Sequence, residues 1–405
     1  MRDETPRRLF HGGQVFDGTG SPPAPADVVV EGGTIVEVGA GLDGDEQVDV
    51  RGLTVLPGLF DCHVHVCSSG VDLMARLQRP FSYQFYEAQA SLGATLDCGI
   101  TTVRDASGAD LGIRQAQADG LVRGPRLRIS VTALSQTGGH GDGWMPSGAC
   151  ATHWLAHPGR PSGIVDGPDE MRRKVREVVR AGADVIKVFT SGGVLSPRDD
   201  PRHGHFRDDE LAVAVAEADA AGLPVMAHAQ ATTGIKAAVR AGIRSIEHGI
   251  YLDDEAIAMM LERGTWLVPT LVAPRAVLAA ADAGARLPEA SLRKAREVID
   301  VHRASFAKAV AGGVKVAMGT DAGVGPHGSN LDELALMADG GMDPASVLVA
   351  TTSSAAQLVG VADSLGTVEP GKRADLVLLA GDPYDFEGVR DRVRAVYQDG
   401  VRVSG

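Results

Sequence analysis

The amino-acid sequence predicts an α/β protein: a (β/α)8 barrel of the TIM type, joined to a small β-sandwich domain formed by both termini. Three observations lead there. A chain of 405 residues exceeds what one small core organises and suggests a large domain with a smaller one. Its middle alternates apolar strand-like runs with helical stretches, the pattern of a buried parallel sheet. Its two ends are instead short, β-branched and turn-separated, and neither has enough apolar surface to stand alone.

Between Leu9 and Val55 the segments Asp27-Val28-Val29-Val30-Glu31 and Thr34-Ile35-Val36-Glu37-Val38 flank a Gly-Gly turn, a hairpin signal. The tail repeats the style in Ala374-Asp375-Leu376-Val377-Leu378-Leu379 and again from Val393 to Val401. Paired, these ends make a composite domain over 1–56 and 363–405, enclosing a barrel domain over 57–362. Strands are expected near 55–65, 99–105, 126–134, 183–190, 223–229, 243–248, 264–270 and 313–320, with helices such as Glu170 to Ala181 and Asp208 to Ala221 between them. Eight such units fit a closed barrel, whose chemistry sits at the C-terminal strand ends. Residues 135–168 break the rhythm with a Gly/Pro-rich stretch carrying His140, Trp144, His153, Trp154 and His157. A loop this long is commonly a lid or binding loop, and it leaves the catalytic end of the third strand.

Composition narrows the partners. The formal net charge of -13 argues against nucleic acid, which needs concentrated Lys and Arg, and disfavours anionic membranes. No run approaches the roughly 18 apolar residues of a membrane span, and Met1 to Arg8 leads into no signal-peptide core. The expectation is a soluble, cytoplasmic protein. Four cysteines are too few for a disulfide framework at this length. Cys62 and Cys67 flank a histidine pair, yet Cys62, next to His63 on a strand, faces the other way and reads as core.

The chemistry begins in Leu59-Phe60-Asp61-Cys62-His63-Val64-His65. Histidines at i and i+2 on a strand share a face, and at a strand end both can reach one ion. The fourth strand, Asp184-Val185-Ile186-Lys187-Val188-Phe189-Thr190, buries a lysine that something must neutralise or use. The fifth ends Val225-Met226-Ala227-His228, the sixth Ser245-Ile246-Glu247-His248-Gly249 and the eighth Met318-Gly319-Thr320-Asp321-Ala322-Gly323. A satisfied core histidine explains any one of these, but not five strands delivering a ligand type at the same end.

With these residues in place the sequence resembles the amidohydrolase superfamily, in the branch of imidazolonepropionase-like enzymes, Xaa-Pro dipeptidases and ochratoxinase-type carboxypeptidases. The opening run from Pro57 to His65 and the closing run Gly366-Thr367-Val368-Glu369-Pro370-Gly371-Lys372-Arg373-Ala374-Asp375-Leu376 carry the likeness, which spans essentially the whole chain. The resemblance implies that His63, His65 and Asp321 hold the more buried of two divalent ions, and His228 and His248 the more exposed one. It implies N6-carboxylysine at Lys187 bridging both, with zinc the expected metal; ligand type leaves manganese open. The activity implied is cleavage of a C–N amide bond in a small N-acyl amino acid or dipeptide-like substrate. A metal-bridging hydroxide attacks, with Asp321 as general base and acid. The alternative is a cyclic amide, imidazolone or lactone opened at the same site. A non-catalytic scaffold that has lost its ligands predicts gaps among the six positions, and there are none, while a non-enzymatic metal-binding protein would be marked by bound metal and inertness on every amide and ester. The branch also implies a homo-oligomer.

His140, in Thr137-Gly138-Gly139-His140-Gly141-Asp142, matches a family motif and is expected to touch the substrate carboxylate or reacting carbonyl; His327 is a weaker supporting candidate. The sequence departs from peptide-cutting relatives at Gln230, where they carry a tyrosine after Ala-His-Ala. The phenol is lost, though an amide still hydrogen-bonds. A mononuclear deaminase fits less well, because Gln230-Ala231-Thr232 stands where a catalytic Glu would follow. Gly366 to Lys372 imitates a phosphate-binding loop, but Arg373 replaces the required hydroxyl residue and a strand follows.

Overall fold

The computed structural model describes residues 6–152 and 154–405. His153 and the first five residues, including most of the N-terminal segment judged above, lie outside the described residues. The terminal segments form two sheets. One runs Thr34–Gly39, Asp27–Glu31, Arg8–His11, Glu46–Asp49; the other Val401–Ser404, Val393–Gln398, Leu376–Ala380, Leu53–Pro57, Gln14–Val15, Ala24–Pro25. The expected hairpin closes at Glu31 opposite Thr34, with Gly32 and Gly33 both at positive φ, the geometry a two-residue turn needs. Phe10, Ile35, Val55, Leu376 and Tyr397 share one buried cluster between these sheets, so N- and C-terminal segments bury each other.

The middle of the chain forms parallel strands with helices between them. Leu59–Val64, Ile100–Asp105 and Arg126–Ile129 make one sheet; Ala133–Leu134, Ile186–Phe189, Val225–Ala229, Ser245–His248 and Trp266–Val268 make another. Two expected strands are split. The run 55–65 breaks at Gly58, where the chain leaves an antiparallel pairing with Leu376–Ala380 for a parallel one with Ile100–Asp105. A β-carbon on Gly58 would meet Thr101 Oγ1 and come within 2.9 Å of Asp375 Cβ, so only glycine permits the crossing. The run 126–134 breaks at Val131, whose φ of 62° turns the backbone.

The expected eighth strand is not a regular strand. Leu267 pairs with Val316 and Val64 with Ala322, as isolated bridges. Cys62 N donates to Met318 O, while Met318 N turns away to Ala350 O in a neighbouring helix. That diversion interrupts the ladder, although the segment still lies between the strands of His63 and Leu267. The helices expected from Glu170 and Asp208 are Gly167–Arg180 and Asp208–Ala220. Among the described residues no helix is long and apolar enough to cross a membrane.

Candidate metal centre and active site

Strand ends supply the site. His63 lies in Leu59–Val64, Lys187 in Ile186–Phe189, His228 in Val225–Ala229, and His248 closes Ser245–His248. These four, with His65, Asp321, His140 and Gln230, line a single, mostly apolar cavity of about 600 Å3. His248, Thr270 and Asp321 adopt left-handed backbone, with φ of 72°, 55° and 62°. Such conformations cost about 1–3 kcal/mol each and concentrate where a site is over-determined by its surroundings.

His63, His65 and Asp321 present donor atoms within 4.8 Å of one another. Asp321 Oδ1 is 3.5 Å from His63 Nε2 and 3.2 Å from His65 Nε2. The other ring nitrogens fix the tautomers: His65 Nδ1 donates to Ser107 O at 2.9 Å, and His63 Nδ1 to Glu247 Oε2 at 2.8 Å. Neutral rings so bonded turn Nε2 lone pairs towards a carboxylate oxygen that is itself buried without a hydrogen-bond partner. Three acceptors facing one point repel unless a cation joins them, so this donor set fits a divalent metal.

Charge at the site agrees. Burial pushes Asp321 up, but His63 and His65 outweigh it and hold the carboxyl well below its usual range. Burial keeps His63 and His228 neutral, and takes His248 to about 3. His65 departs from this pattern: burial works against its proton, but the neighbouring Asp321 carboxylate raises it above its ordinary value. Lys187 is 2% exposed, and among the described residues its Nζ has no hydrogen-bond or ion-pair partner. Burial lowers the amine to about 8.

His228 Nε2 donates to Gly192 O at 3.1 Å, and His248 Nδ1 meets Thr270 Oγ1 at 2.7 Å. Their ring centroids are 4.7 Å apart. His140 stacks on His228 at 4.5 Å and 18°. Gln230 is anchored by its backbone N–H on Ser191 Oγ at 2.7 Å, and its buried Oε1 has no partner among the described residues. His327 is placed differently: its Nε2 donates to His65 O at 3.2 Å and its Nδ1 accepts from Thr95 Oγ1 at 3.2 Å. It stands behind His65 rather than in the cavity wall.

Residues from the 135–168 loop form one side of the cavity, including Met145, Trp154 and Leu155. Trp154 stacks on His65 at 5.5 Å, and the Arg76 guanidinium covers it at 4.3 Å. Cys62 is buried with Phe60 and Trp266, away from the metal donors, and burial pushes its thiol up.

Several contributors escaped the sequence reading. Glu247 links His63 to Arg104, whose Nη2 reaches Glu247 Oε1 at 2.8 Å while its Nε donates to Cys62 O at 2.7 Å. Asp61 accepts from His63 N, Thr320 N, Thr320 Oγ1 and Asn330 Nδ2, tying the first ligand strand to the Asp321 segment. The signal that could have found Arg104 and Glu247 is the one used for Lys187, a charge inside an apolar strand.

Known proteins share this arrangement of chain. The sequence profile of the amidohydrolase family matches residues 54–403. The chain is 33% identical to ochratoxinase of Aspergillus niger over 418 aligned residues, covering 97% of this chain and 85% of that protein. The structure of a Xaa-Pro dipeptidase with bound methionine superposes with a TM-score of 0.90 at 33% identity, covering 98% of this chain and 100% of that one. That of a prolidase complexed with N-methylphosphonate-L-proline superposes with a TM-score of 0.89 at 38% identity, covering 98% and 99%.

Proposed function

This chain belongs to the amidohydrolase family and is a hydrolase acting on C–N bonds, and we propose that it cleaves the amide of a small N-acyl amino acid or dipeptide-like substrate at a binuclear metal site. The observation that carries the reading is the convergence of His63 Nε2, His65 Nε2 and Asp321 Oδ1, three acceptors that need a cation. In this reading these three would hold one ion, His228 and His248 would hold a second, and Lys187, once carboxylated, would supply an anionic ligand beside both sets of donors. An amine lowered to about 8 keeps a neutral fraction able to add carbon dioxide, which supports the carbamate. When bound, two divalent ions, zinc by preference, acidify a water and polarise an amide carbonyl.

The chain's own residues do the rest. Asp321, ionised at neutral pH, accepts a proton on Oδ1 and returns it to the departing nitrogen. Glu247 keeps His63 in one tautomer and orientation. Gln230 offers an amide oxygen, unpartnered among the described residues, to the substrate, and His140 lines the same cavity. His327 supports His65 from behind. The apolar wall of Leu195, Val277, Leu287 and Trp154 suits a bulky acyl group or side chain, and Arg198 and Arg286 in the cavity lining suit a carboxylate. The strand ends support an eight-stranded barrel over 57–362, with the segment around 315–322 as eighth member. The two terminal sheets read as a β-sandwich over 1–56 and 363–405.

The test is amine release from a panel of dipeptides and N-acyl amino acids, with zinc and bicarbonate supplied and Asp321→Asn as control. Turnover absent in the variant supports the reading. Silence across the panel from zinc-loaded protein sinks it and directs the search to cyclic amides and lactones.

A further inference from the structure

Outside the metal donors, a second knot of buried charge, Asp199 with Lys294, holds the segment 193–199, and the chemistry above uses neither of the two. Asp199 and Lys294 are both almost fully buried, their side chains 2% and 4% exposed. Lys294 Nζ donates to Gly193 O at 2.7 Å, Ser196 O at 2.5 Å and Asp199 O at 2.9 Å, and reaches Asp199 Oδ1 at 3.2 Å. One ammonium therefore gathers three carbonyls of a single loop and fixes its carboxylate. Asp199 Oδ2 in turn accepts from Gly193 N at 3.1 Å and from His140 Nδ1 at 2.7 Å.

The imidazole of His140 is held by several neighbours while still lining the cavity. His228 stacks on one face, Phe189 meets it edge-on at 5.2 Å, and Gly193 lies close against the ring. A β-carbon at Gly193 would come within 2.6 Å of His140 Nε2 and 2.8 Å of Nδ1, so the approach requires glycine. An isolated carboxylate and ammonium at this depth would be costly to bury. Their joint use to aim one histidine gives that cost a function.

We propose that Asp199 is a positioning residue for His140, locking the proton on Nδ1 so that Nε2 meets the substrate as an acceptor, towards an N–H or a proton in transfer rather than the carboxylate or carbonyl oxygen expected from the sequence, with Lys294 and Gly193 fixing the loop that carries it. This rests on the reading that His140 acts on the substrate. A carboxylate partner selects which imidazole nitrogen is free, and an imidazole acting in proton transfer contributes about 10²–10⁴-fold to rate.

The experiment compares wild type, Asp199→Leu and Asp199→Asn, each zinc-loaded and labelled with 15N-histidine, His140 being assigned from His140→Gln. The expected result is Nδ1–H in wild type and its loss in Asp199→Leu. With it kcat falls at least about 10-fold while KM and zinc content hold; the melting temperature falls in Asp199→Leu because Lys294 loses its buried partner. Asp199→Asn, which keeps an oxygen acceptor, restores the tautomer and most of kcat. Should Asp199→Leu fail to fold, Gly193→Ala must displace the ring and give the same two changes. An unaltered tautomer in Asp199→Leu, or in Gly193→Ala, overturns the proposal. A fully active His140→Gln would instead refute the substrate role of His140, while the tautomer comparison still decides what Asp199 does.

Discussion

At the scale of single residues, the site is governed by buried groups that have one permitted partner. Glu247 is completely buried between His63 and Arg104. Removing its charge leaves the Arg104 guanidinium uncompensated, a loss of about 3–5 kcal/mol for a broken buried pair. Glu247→Gln is therefore expected to lower the urea midpoint, and also to weaken zinc binding about 10–100-fold, measured by competition with a chromogenic chelator. Unchanged zinc affinity would show that His63 needs no such support. His205 makes a separate point. Burial lowers it from 6.5 to about 4, and its Nδ1 is buried without a partner. A histidine depressed in the folded state binds protons more readily when unfolded, so its stabilising contribution is complete above pH 6.5 and lost as pH falls towards 4. Melting temperature between those values should drop more steeply in wild type than in His205→Gln.

At the scale of elements, the decisive features are places where a strand stops being regular. Gly58 carries the chain from one sheet to another through a gap with no room for a side chain. Gly58→Val is expected to destabilise by about 1–3 kcal/mol through overpacking, read as a lower denaturation midpoint with the denaturant slope preserved. A midpoint equal to wild type would mean that Thr101 and Asp375, at the ends of the two neighbouring strands, yield easily. The left-handed turns at His248 and Asp321 are of the same kind. They end pairing where a side chain must swing from the strand into the cavity, at a backbone cost that helix and strand propensities do not register.

At the scale of the molecule, the proposed metal site, the charge distribution and the cavity each make a separate prediction. A ligand that binds only the folded state stabilises it by about 4 kcal/mol at a thousandfold excess over Kd. Chelation should thus lower the melting temperature and zinc restore it; insensitivity to chelation would argue against a tight site. The chain carries a net charge of -13, yet Arg198 and Arg286 line the cavity, and neither makes an ion pair among the described residues. For an anionic substrate, Arg198→Gln and Arg286→Gln should each raise KM several-fold with little change in kcat. Equal effects on a neutral amide substrate would remove the carboxylate reading.

The sequence by itself determined the elements and the donor types. Periodicity and turn chemistry are local, so the hairpin at Gly32-Gly33 and the strand ends bearing His63, Lys187, His228 and His248 were legible without coordinates. Family membership was legible from the runs at Pro57–His65 and Gly366–Leu376. Only the tertiary structure decided what depends on distance between remote segments. Glu247 meets His63 across 184 positions and Lys294 meets Asp199 across 95, and nothing within either short segment specifies the partner. The same holds for the irregular eighth segment, whose Met318 N–H is claimed by Ala350. A buried charge announces in sequence that a partner exists; which partner it is follows from how the strands and helices pack around it.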